Sequence, residues 1–275
     1  MRRLTCLLLL LCVVTAPLRG EAADANTTPG LPAHRVSDPA APPVTVNNLL
    51  ASDRFWPYQV SLVRSWQPPG RTQPLRAGAR GVLIRVETSG LARIDFGRDG
   101  LHAIPVSETD LVAQAERVRI GELQKTAPNF ALALGPRLLD PAATPVRPVD
   151  FARTSQQRGF LAVFADPNAE GFAALAKTLA PLRERDGVLT ILLPQSTRSD
   201  AQIAEQLRSL DWTVPFVIGH MSEAYTRSLL AEGIPLPAVA LQTNEGRLLY
   251  QSRWSPDGMP ALDAAIEAAF SASSR

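Results

Sequence analysis

The only two thiols of the chain, Cys6 and Cys12, lie in its first dozen residues, and no cysteine follows over residues 13–275. Disulfide exchange and cysteine-based peroxide reduction both need a thiolate, which no oxygen or carbon side chain replaces. The three histidines, His34, His102 and His220, fall in a linker, a strand and a loop without metal-ligand spacing, so no metal is assigned. A Gly-x-Ser-x-Gly elbow, a phosphate loop and a dinucleotide fingerprint are absent from the sequence, which leaves no catalytic residue and no cofactor indicated. Asp95 with Asp99, and Glu184 with Asp186, read as surface charges beside arginines; a glycosidase pair would have to flank a cleft. A site assembled from distant residues stays open.

Those two cysteines sit in a segment with the layout of a secretory signal. Arg2 and Arg3 precede an apolar run from Leu4 to Ala16, followed by Pro17, Arg19 and small residues that suit cleavage after Ala22 or Ala25. The run of about 13 residues is short of the roughly 20 needed to cross a bilayer, and Cys12 follows Leu11, not the small residue a lipoprotein signal wants. Residues 1–25 are therefore expected to be a signal peptide, the location periplasmic or secreted, with no membrane span after signal removal. Disulfides are available in such a compartment, yet the mature chain would hold no thiol. Lys and Arg total 28 against 26 Asp and Glu, a near-neutral balance that gives no reason to expect nucleic acid or an anionic membrane as partner.

Residues 26–46 carry five prolines among Ala, Thr, Ser and Asn and are expected to be a disordered linker. Residues 47–120 show short strands: Tyr58 to Arg64, Gly81 to Glu87 with Val82, Ile84 and Val86 alternating, Leu91 to Phe96, and Leu101 to Val106. Their rhythm resembles a small Src-homology-type β barrel. Ser107 and Asp110 form a capping-box pattern ahead of a helix bearing Leu111, Val112, Ala115 and Val118. Trp56, Tyr58 and Trp66 offer either an exposed aromatic groove or core packing, with packing favoured.

Residues 121–275 alternate strand and helix. Phe160 to Phe164 is a buried strand, followed by a helix with Phe172, Leu175, Ala176, Leu179 and Leu182 on one face. Val188 to Leu193, a helix capped by Ser199 with Gln202, Val214 to Ile218, a helix that Ser222 can cap, a hairpin around Asn244-Glu245-Gly246 and a last helix complete the order. Crossover helices of this kind imply a mixed sheet with helices on both faces.

This order, with three local runs, resembles the thioredoxin superfamily, in particular its TlpA-like and peroxiredoxin-like branch. Ala127-Pro128-Asn129-Phe130 matches that family's opening, Val163-Phe164 runs into the turn where its cysteines sit, and Gly233-Ile234-Pro235-Leu236-Pro237-Ala238 matches its cis-proline loop. The resemblance implies an α/β thioredoxin-like domain preceded by a small, mainly β barrel domain. It places Ala169 and Phe172 where the family has its two cysteines, and implies a binding edge at Leu236 and Pro237 facing Asp166, Pro167, Asn168 and Ala169. Asp166 reads as N-cap and Pro167 as first helical residue. The expectation is a redox-inactive binder of a peptide or protein partner in the cell envelope. The alternatives are an enzyme with a non-thiol site at the domain interface, and a cell-wall module that binds peptidoglycan.

Overall fold

Alternating apolar residues with glycine-marked turns fold the first half into an antiparallel meander. In the computed structural model, which describes residues 37–70, 72–123, 125, 137–150, 157–183, 185 and 187–270, strands β1 (Gln59–Ser61), β2 (Arg80–Val86), β3 (Leu91–Asp95) and β4 (Leu101–Pro105) form one sheet in that order. Beyond β4 the chain returns to β1 and the residues after it: the Asp110 amide donates to the Ser61 carbonyl at 3.0 Å, the Val63 amide donates to the Glu108 carbonyl at 2.9 Å, and Leu62 bridges to Thr109. A short helix α1 (Val46–Ala51) precedes the sheet, and α2 (Leu111–Arg119) follows it. The expected signal peptide with Cys6 and Cys12, His34, and Ala127-Pro128-Asn129-Phe130 lie outside the described residues. Among those residues no helix is long and apolar enough to cross a membrane.

Three local expectations are corrected here. The linker was expected to run unstructured to residue 46, but its last part lies against α2. Arg119 donates to the carbonyls of Asp38, Pro39 and Ala41, and Glu116 accepts from the Val44 amide. The capping box of Ser107 and Asp110 does not form, because the Asp110 carboxylate is taken by the Ser61 amide at 2.7 Å and by Gln114 at 2.8 Å. Val82, Ile84 and Val86 do not share a face either. A β-bulge between Leu83 and Arg85 inserts Ile84 as an extra residue, so Val86 joins Leu83 in the first domain's own core while Val82 and Ile84 face the other way.

The second half forms a seven-stranded sheet from β5 (Leu138–Leu139), β6 (Pro145–Val146), β7 (Gly159–Ala165), β8 (Val188–Pro194), β9 (Phe216–Val217), β10 (Ala238–Thr243) and β11 (Leu248–Arg253), in the order β11-β10-β7-β8-β9-β5-β6. The strand pairs β7–β8 and β8–β9 are parallel, while β10 runs antiparallel to both neighbours. Its helices are α3 (Phe172–Arg183), α4 (Asp200–Ser209), α5 (Gly219–Leu229) and α6 (Met259–Phe270). The Ser199–Gln202 capping box on α4 forms as read. Helix α5 begins at Gly219, three residues before Ser222, because Asp200 accepts from the Gly219 amide at 2.7 Å.

Helices α3, α4 and α6 cover one face of this sheet. Helix α5 covers the other with Met221, Ala224, Tyr225 and Leu229, and Tyr58, Val82 and Ile84 of the first domain pack into the same cluster as Phe160, Phe164 and Ile191. The two predicted domains thus share a core. Replacing Ile84 with Ala is expected to cost about 2–4 kcal/mol and to lower one common unfolding transition. Two separate calorimetric transitions, with only the first shifted, would contradict a shared core.

Candidate functional site

The strand ladder brings the two predicted halves of the binding edge together. Ala238 pairs with Phe164, and Ala165 pairs with Pro194, so the register sets Pro237 beside Ala165, one residue from Asp166. The Leu236–Pro237 peptide is cis. The Pro237 carbonyl accepts from the Trp254 amide at 2.8 Å, whereas Leu236 makes no backbone hydrogen bond among the described residues. Leu236 is 45% exposed, one of few large apolar side chains so placed.

Across from it, the turn between β7 and α3 is built differently from the expectation. Asp166 does not cap α3 and Pro167 is not its first residue. The Asp166 carboxylate accepts from the Asn168 amide at 2.9 Å and its side-chain amide at 3.0 Å, closing an Asx turn. The helix starts only at Phe172, after Gly171 adopts φ +91°, a left-handed conformation that glycine takes without strain. Asn168 reaches Ser196 Oγ after β8 at 3.4 Å. Of the two positions matching the family's cysteines, Ala169 is exposed, while Phe172 is buried against Trp212 with ring centroids 5.6 Å apart.

A second cluster lies where the domains meet, and the sequence did not reveal it. Asp95, read as a surface charge, is 4% exposed. It accepts from the Gly97 amide at 2.6 Å, from Arg137 at 3.3 and 3.4 Å, and from His220 Nε2 at 3.0 Å. His220 sits in the first turn of α5, not in a loop. Asp95 follows the core residue Ile94 and points to the opposite face, which is covered only by the second domain, so no local pattern marks it. Burial alone would raise the Asp95 pKa, but the donors from His220, Gly97 and Arg137 outweigh it and hold the carboxyl below its usual 3.8.

Tyr58 stacks on Tyr225 nearby with centroids 6.0 Å apart. Burial pushes the Tyr58 phenol to about 12, against the opposing pull of Tyr225, Arg137 and Arg227. Farther along α5, Arg227 donates to the carbonyls of Ile84 at 2.8 Å and Leu83 at 2.6 Å, and lies over the Trp56 ring at 5.0 Å. Trp56 and Tyr58 are buried and Trp66 is partly buried, so the three serve packing and do not form an exposed aromatic groove. Among the described residues no group of three or more His, Cys, Asp or Glu could hold a metal ion.

About half of the chain superposes on solved thioredoxin-type structures. Thioredoxin of Wuchereria bancrofti is 11% identical, covering 50% of this chain and 99% of its own at a TM-score of 0.38. The exposed lipoprotein thioredoxin of Streptococcus pneumoniae is 20% identical, covering 48% and 97% at 0.34. A secreted disulfide oxidoreductase of Mycobacterium tuberculosis is 14% identical, covering 48% and 94% at 0.33. No family model and no curated protein matches the chain. The thioredoxin-like α/β fold of the second half stands on its own topology: parallel β7, β8 and β9, antiparallel β10 and β11, helices on both faces, and the cis proline directly before β10.

The Asp95 contacts have a pH signature. Because the folded carboxyl titrates below its unfolded value, its contribution is fully present above about pH 4 and is lost as pH falls through the folded pKa. Asp95→Asn is expected to cost about 1.5–3 kcal/mol at pH 7. In urea melts across pH, the gap to the wild type should narrow below pH 3.8; a gap independent of pH would rule out a charge-based clasp.

Proposed function

We propose that this chain is an exported, redox-inactive thioredoxin-fold protein that holds an extended peptide or protein partner at the Leu236–Pro237 edge. The observation that carries the reading is the exposed Leu236, whose amide and carbonyl make no backbone hydrogen bond among the described residues, set beside the β7 terminus. An unpaired backbone segment next to an apolar side chain is what an extended peptide pairs with by strand addition, main-chain bonds giving affinity and the side chain giving selectivity. Redox inactivity is supported by the sequence, which has no cysteine over residues 13–275 and carries Ala169 and the buried Phe172 at the matching positions. Export is supported by the arrangement of residues 1–25.

A second reading, a non-thiol enzyme at the domain junction, draws on the convergence of Asp95, Arg137 and His220. In that cluster the carboxylate and guanidinium are spent on one another, and His220, at 34% side-chain exposure, is the member most open to solvent. This arrangement favours a clasp over a reacting centre.

Peptide-array binding of the full chain tests the leading reading. Extended apolar peptides should bind, and Leu236→Asp should weaken them about tenfold or more, while Arg253→Ala on the neighbouring strand leaves the fold intact as a control. Binding that is indifferent to Leu236→Asp would refute the edge. Protein recovered from its host after export should show no maleimide-reactive thiol and no insulin reduction above background; activity in either assay would refute the redox-inactive part.

A further inference from the structure

The Leu236 edge offers a partner far less main chain than an ordinary strand edge does. Pro235 and Pro237 have no N–H to give. The Ile234 amide is spent on the Ala231 carbonyl at 3.3 Å, and the Pro237 carbonyl is taken by the Trp254 amide at 2.8 Å. Ala238 stands between Phe164 of β7 and Arg253 of β11, with a ladder partner on either side, so an added strand has no room to zip onward along β10. Over residues 234–238, Leu236 is therefore the residue that keeps both an amide and a carbonyl without a backbone hydrogen bond among the described residues.

Strand addition at this edge has one rung. In an antiparallel pair, two residues directly opposite one another exchange both N–H···O bonds, and the residues flanking them turn their amides to the other side. A partner residue set against Leu236 thus has its two neighbours opposite Pro235 and Pro237, where their amides have nothing to bond. Proline at those two positions forfeits no hydrogen bond. It also holds the residue before it extended and reduces the freedom lost on binding. Pro235 and Leu236 are exposed and Pro237 is half-buried, so the apolar rings of such a partner meet apolar surface.

Resting on the peptide-edge reading above, we propose that the partner is a proline-flanked segment, an aliphatic residue between two prolines, gripped through the amide and carbonyl of that central residue. The edge carries the same pattern in its own Pro235-Leu236-Pro237. The two segments are complementary by antiparallel exchange: each central amide meets the other's carbonyl, and each proline ring faces a proline ring. Selectivity then comes from the side chain beside Leu236 and from the flanking prolines, with main-chain pairing confined to a single residue.

Titration of the isotope-labelled full chain, followed at the Leu236 amide by NMR, tests this with three acetylated and amidated pentapeptides: Ala-Pro-Leu-Pro-Ala, Ala-Ala-Leu-Ala-Ala, and the first with its leucine N-methylated. The proline-flanked peptide should shift the Leu236 amide and bind about tenfold more tightly than the alanine-flanked one. N-methylation of the central leucine should weaken binding about threefold or more. Equal affinity of the first two, a tighter alanine-flanked peptide, or indifference to N-methylation would overturn the proposal. If none of the three binds while longer apolar peptides bind and are weakened by Leu236→Asp, the proline pattern is wrong and the edge reading survives. If no extended apolar peptide binds at all, the edge reading falls and takes this proposal with it.

Discussion

A sheet with residues buried on both sides has two apolar faces, and each must be removed from water by something. In this chain three helices do so on one side of β7, β8 and β10, but on the other side α5 is the principal helix. The remaining cover comes from the first sheet, through Tyr58, Val82 and Ile84. This division of labour is the constraint on which the architecture turns. It converts what the sequence presents as a module and its neighbour into a single folding problem, since neither half buries its surface without the other.

Apolar contact alone is non-directional, and the polar groups along α5 supply the direction. Arg227 finds two successive carbonyls of β2, and His220, two turns earlier, finds Asp95 at the end of β3. These bonds lie at the two ends of one helix, so together they fix both the position and the rotation of the first sheet against the second. The Gln195 side chain bonds Thr226 on the same helix, and the neighbouring Ser196 meets Asn168 in the turn facing Leu236. The candidate peptide edge is thereby joined to the domain junction by a short run of hydrogen bonds through α5.

Much of this was legible in the sequence because its causes are local. The stripe from Phe172 to Leu182, the Ser199–Gln202 cap and the hairpin at residues 244–246 each carry their signal within a few residues, and the register that places Pro237 beside Ala165 follows from strands read correctly. What escaped reading depends on contacts distant in the chain. Asp95 and His220 are 125 positions apart, and nothing near either announces the other. Asp166 is a good cap by composition, yet an Asx turn with Asn168 competes for the same carboxylate and delays the helix. The Ser107–Asp110 pattern failed for a similar reason, because Ser61, a neighbour only in space, claims the aspartate. Ambiguity concentrates where a polar side chain has two possible partners and the tertiary structure chooses.

The single extra residue in β2 carries a further implication. Because Ile84 is inserted between paired positions, the strand changes the face it presents partway along its length, serving its own small core at one point and the neighbouring sheet at the next. The same irregularity leaves two consecutive carbonyls within reach of one guanidinium. The residue count between Leu83 and Val86 is therefore held by two cores at once. A chain that lost Ile84 would keep Val86 opposite Ala92 but set Arg85 where the shared core needs an apolar side chain, and would loosen the grip that keeps its two halves in one body.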